Sequence, residues 1–174
     1  VVDSIDLSGC VVTYTNTGVY TGLAHKVIPT VTLDGETLIF GVDFTVVYDE
    51  NTNFIDTTQT HYFIIEGMGV YSGKTMSYEY NITKAQIELE VEDKQEFVFG
   101  TLEDYLDVVK SNVSGVDFIT VYEGINGTEY SGSKTPTNVG EYKVTITSNS
   151  SDNYEALSNA VVRTFKIVKA ETVI

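Results

Sequence analysis

The chain has 174 residues with ten basic side chains against twenty-five acidic ones, a net charge of −15. That balance disfavours nucleic acid, whose phosphates are bound by displacing counterions with Lys and Arg, and it disfavours anionic membrane surfaces. The 42% hydrophobic content is enough for packed cores, and no run of eighteen apolar residues occurs that would read as a membrane span.

Read in chain order, the first feature is Leu7-Ser8-Gly9-Cys10, which matches a bacterial lipoprotein cleavage box. Asp3, Ser4 and Asp6 stand where such a box needs an apolar stretch, so the match is set aside. Cys10 is the single cysteine and has no partner for an internal disulfide. Beyond it, short alternating segments rich in Thr, Val, Ile, Tyr and Phe are broken by turn signals at Asp34-Gly35, Gly67-Met68-Gly69, Ser72-Gly73, Asn126-Gly127 and Asp152-Asn153. Such residues suit a pleated, half-buried surface, whereas Gly, Asn and Asp accept the backbone angles of tight turns. In Ile87-Glu88-Leu89-Glu90-Val91-Glu92 the apolar set faces a core and the glutamates face water. Tyr142, Val144 and Ile146 form the inward set of Tyr142–Thr147; Phe63 and Ile65 do so in His61–Ile65, leaving Tyr62 and Ile64 on the other face. One segment reads differently. Leu102, Tyr105, Leu106 and Val109 fall at helical spacing, Thr101 with Asp104 resembles an N-terminal cap, and Lys110 suits the end of the dipole. This spacing predicts a short helix over 101–110.

The chain repeats itself at a period of about 80 residues. Gly41-Val42-Asp43-Phe44 returns as Gly115-Val116-Asp117-Phe118, and Tyr80-Asn81-Ile82-Thr83-Lys84-Ala85 as Phe165-Lys166-Ile167-Val168-Lys169-Ala170. The offset differs between the two pairs, which places the length changes in loops and keeps the strands. Two domains follow, 1–84 and 85–170, with 171–174 reading as the start of a further repeat or a tail. Six or seven short strands in each, with turns every 8–12 residues, predict an all-β chain of two tandem immunoglobulin-like antiparallel sandwiches, the second carrying the short helix. The Lys84-Ala85 junction contains neither Gly nor Pro.

Candidate chemistry is sparse. His25 and His61 are the only histidines, and no triad or paired Cys/His metal spacing can be assembled around them. The many carboxylates read as solvated strand faces, so no catalytic residues are assigned and the chain is not expected to be an enzyme. Asp49, Glu50, Asn51, Asn53 and Asp56 cluster in one loop and form a candidate calcium site, against the plainer reading of a polar hairpin tip. Tyr62, Tyr71, Tyr78 and Tyr154 are candidates for a carbohydrate- or protein-binding platform, against the plainer reading of rings anchored in a core. Sequons at Asn81, Asn112, Asn126 and Asn149 matter only in a eukaryotic source.

Tyr20-Thr21-Gly22, Pro29, Gly41–Tyr48, Gly67–Gly73 and Tyr80-Asn81-Ile82 in the first repeat, with Asn138–Tyr142, Asp152-Asn153-Tyr154 and Phe165–Ala170 in the second, resemble the bacterial immunoglobulin-like repeats found in tandem on surface and secreted proteins. Phe44 replaces the tyrosine usual in that pattern, and the second repeat lacks the Gly-x-Gly-x-Tyr turn. The resemblance implies an extracellular location at the cell surface or wall and a non-catalytic stalk or adhesion role beside neighbouring repeats. The alternative it leaves open is a module that binds a host protein or glycan, supported by calcium.

Overall fold

The computed structural model describes residues 3–49 and 55–171. The described chain is all-β and divides into two compact units, 1–85 and 86–174. Each has its own core.

In unit 1, β1 (Ile5–Asp6) pairs in parallel with β8 (Tyr71–Ser72). A three-stranded sheet holds β2 (Val11–Thr13), β4 (Thr30–Leu33) and β5 (Glu36–Thr37). A four-stranded sheet runs β3 (Thr17–Val19), β9 (Tyr78–Thr83), β7 (Thr60–Gly67) and β6 (Phe44–Tyr48). The chain thus passes from one sheet to the other between β2 and β3. β4 and β5 are joined through Asp34 and Gly35, both at positive φ (52° and 89°), the two-residue turn whose twist matches that of its strands. The layers close over Leu7, Val31, Phe44, Phe63, Ile65 and Tyr80.

Unit 2 repeats the order of that four-stranded sheet and adds one short edge strand to it. β10 (Leu89–Glu90) pairs with β12 (Lys110–Ser111). A five-stranded sheet runs β11 (Gln95–Val98), β16 (Val161–Val168), β15 (Gly140–Ser148), β13 (Phe118–Ile125) and β14 (Ser131–Gly132). Along β15 the inward set Tyr142, Val144 and Ile146 is fully buried, as the alternation requires. Val91, Leu102, Tyr105, Tyr122, Phe165 and Ile167 complete the core.

The strand registers superpose the units residue by residue. Phe44 lies opposite Gly67 and Tyr48 opposite Phe63; in unit 2, Phe118 lies opposite Ser148 and Tyr122 opposite Val144. His61 faces Tyr80, as Tyr142 faces Phe165. The ring geometry is kept as well: His61 stacks on Tyr80 at 5.3 Å and 28°, Tyr142 on Phe165 at 5.4 Å and 27°. In both units the early strand pairs in parallel with the last. Gly18 lies opposite Ile82, and Phe97 opposite Ile167.

The helix expected over 101–110 is a correction. The segment forms a single 3-10 turn, Tyr105–Val108, capped by Asp104, whose side chain accepts from the Leu106 amide. Thr101 is drawn out of a capping role because its amide and hydroxyl both donate to the Val98 carbonyl. Val109 is extended (φ −89°, ψ 126°), so the turn stops there and Lys110 enters β12.

Candidate functional site

The four tyrosines do not form one platform. Tyr62 is the exposed one, 42% accessible, on the outer face of β7 opposite Glu79. Its neighbour in register, Phe63, lies opposite Tyr78, and those two rings stack at 5.4 Å on the inner face. Tyr78 is therefore half-buried against the core, between Phe63 and the edge of Tyr14, and burial pushes its hydroxyl above the usual tyrosine range. Tyr71 on β8 is likewise half-buried and packed against the core of unit 1. Tyr154 belongs to unit 2, half-buried in the 149–160 connection, where its amide and carbonyl both bond to Ser151. For Tyr71 and Tyr78 the ring is an anchor first.

Beside Tyr62 lies an open groove of about 370 Å³, lined by Val47, Tyr48, Asp49, Tyr62, Phe63, Ile64 and Ser77. The outward side chains of two neighbouring strands make its floor, with Val47 and Tyr62 both solvent-exposed. An aromatic face next to aliphatic side chains and a carboxylate is a surface on which the apolar face of a sugar ring could stack while its hydroxyls meet Asp49. Sequence reasoning found Tyr62 but not the groove, because Val47 and Tyr62 meet only through the β6–β7 pairing.

Of the candidate calcium ligands, Glu50, Asn51 and Asn53 lie outside the described residues. The Asp56 carboxylate is committed locally, accepting from the Thr58 amide at 2.7 Å and its hydroxyl at 2.6 Å. Those bonds, the hydroxyl's first, hold its pKa below the usual aspartate value. Asp56 braces the turn further by offering its carbonyl to Nε2 of the buried His61, 2.8 Å away. Among the described residues, no three His, Cys, Asp or Glu side chains stand close enough to hold a metal ion.

The histidines flank one ring. His61 stacks on Tyr80 from β7. His25 sits tilted at 6.1 Å on Tyr80, whose hydroxyl donates to the His25 carbonyl at 3.0 Å. Burial raises that hydroxyl's pKa to about 12. His25 also lies over Gly18, where an added Cβ would fall 2.5 Å from its Nε2. No helix among the described residues is long and apolar enough to cross a membrane. No protein-family model and no curated protein matches the chain.

Proposed function

We propose that the chain is a pair of immunoglobulin-like modules from a bacterial cell-surface protein, acting outside the cell as a non-catalytic spacer that holds an adhesive or enzymatic neighbour away from the wall. The observation that carries the reading is the coincidence of strand register between the two units, down to the stacked pairs His61–Tyr80 and Tyr142–Phe165. A plan duplicated in its scaffold and varied in its loops is what serial spacers need, since length is gained by adding units. The strong negative charge suits a surface that must remain solvated and resist self-association. The test inserts the chain between a surface anchor and a reporter domain on a bacterial cell and measures antibody access to the reporter. Access should rise when the chain is present. Equal access with and without it would remove the spacer role.

A second reading, a glycan- or protein-binding module, is favoured by one observation, the exposed Tyr62 beside its groove. A glycan array, repeated with and without calcium, separates the two. Reproducible binding abolished by Tyr62→Ala would establish the module; a blank array in both conditions favours the spacer.

A further inference from the structure

We propose that the two units are unequal mechanical clamps, so that a chain under tension opens unit 1 first and keeps unit 2 folded. The inference rests on the spacer reading for its biological meaning, because a spacer carries load through its ends.

In each unit the early strand and the last strand run parallel: β3 along β9, and β11 along β16. Tension on the two ends of a unit first meets short pairings, β1 and β2 in unit 1, β10 in unit 2. It then pulls the parallel strands in opposite directions along their own axis. Their hydrogen bonds are loaded together rather than one after another, so this pairing sets the barrier to opening.

The two clamps differ at equivalent positions. β3 pairs over three residues, Thr17–Val19, and its central residue is Gly18, which has no side chain to hold it in the core. Its side-chain bond to β9 is from the Thr83 hydroxyl to the Gly18 carbonyl, 2.9 Å, with Tyr14 reaching Glu79 just before the strand. β11 pairs over four residues, Gln95–Val98, and carries Phe97 where β3 has glycine. Phe97 packs against the core and meets Phe165 edge-on at 6.0 Å, so sliding β11 also drags a ring across the interior. The segment entering β11 is strapped to β16 as well. The Asp93 carboxylate accepts from the Thr164 amide at 2.7 Å and its hydroxyl at 3.0 Å, and Arg163 Nε donates to the Val91 carbonyl at 2.8 Å. A charged acceptor makes the Asp93 bonds stronger than the neutral one at Thr83.

The experiment tethers the whole chain at both ends and follows unfolding at constant force. Two steps are expected, with the first opening roughly five-fold faster or more, the factor that one net hydrogen bond of ordinary size supplies. Thr83→Val should accelerate only the fast step. Asp93→Ala should accelerate only the slow one, and so should Thr164→Val, which removes a single hydroxyl and decides the matter if Asp93→Ala leaves unit 2 unfolded by circular dichroism. Equal rates, a slow step that responds to Thr83→Val, or two steps indifferent to Thr164→Val in a folded chain would overturn the proposal. Equal rates would leave the spacer reading standing, whereas glycan binding through Tyr62 would remove the spacer reading and leave the order of opening intact.

Discussion

A Cβ on Gly18 would collide with the His25 ring, and the register puts Gly18 where unit 2 has Phe97. Both rings sit at a similar distance from the equivalent core aromatic, His25 at 6.1 Å from Tyr80 and Phe97 at 6.0 Å from Phe165. A ring donated from a neighbouring loop thus fills the space that a strand side chain fills in the sister unit. Gly18→Ala should destabilise unit 1 by about 1–3 kcal/mol, the usual cost of overpacking. Combined with His25→Ala, which vacates that space, the loss should be smaller than the sum of the single losses. Strict additivity in chemical denaturation would show that the two do not share the site. Tyr105 makes a different case. It is fully buried, and its hydroxyl has no hydrogen-bond partner among the described residues. Tyr105→Phe should leave stability at neutral pH unchanged or raise it by up to about 1 kcal/mol, since only a desolvated hydroxyl is lost. Burial raises the Tyr105 pKa to about 12. A raised folded-state pKa contributes stability that is complete below the unfolded value near 10 and is lost as pH climbs toward 12. The variant should therefore lose less stability than the parent between pH 10 and 12, as read by thermal melts across that range.

At the level of elements, Asp93 couples the entry of β11 to β16, and the Thr164 amide bond, first among its interactions, holds its pKa below the usual value. A depressed folded-state pKa contributes stability present above the unfolded value near 3.9 and lost as pH falls through the folded value. Unit 2 should accordingly weaken below about pH 4, and Asp93→Asn should flatten that acid limb; an unchanged acid limb would show that the carboxylate contributes nothing there. The strands were legible in the sequence because one wet face leaves a period of two, and Tyr142, Val144 and Ile146 are buried as that period required. Asp34-Gly35 and Asn126-Gly127 were legible as turns because both residues of each adopt positive φ. The segment mimics a helix in sequence because a 3-10 turn also brings residues three apart to one side: the Val109 amide bonds back to the Leu106 carbonyl, and both side chains pack against the core without an α-helix. The parallel pairings left no local mark. β3 has three residues, and its partner lies more than sixty residues away, so no window of sequence contains both. The Tyr62 groove was hidden for the same reason, its walls coming from two strands and the start of a third.

For the whole molecule, two separate hydrophobic clusters predict that damage to one stays there. Ile146 is fully buried in unit 2, and Ile146→Ala should cost about 2–5 kcal/mol through lost contacts and the cavity left behind. Urea denaturation should then show a lowered transition for unit 2 with the midpoint of unit 1 unmoved. A common shift of both would mean that the units unfold as one. The matched registers have a consequence for inheritance. A crossover between the two coding halves, placed within equivalent strands, would leave the reading of inside and outside faces intact and produce a hybrid unit with its sheets in step. The exception is the site shared by Gly18 and His25: a hybrid taking the glycine without the histidine would have a hole, and one taking the histidine beside Phe97 would have two rings competing for one space. Gene shuffling among such units should therefore transmit that glycine and that histidine together.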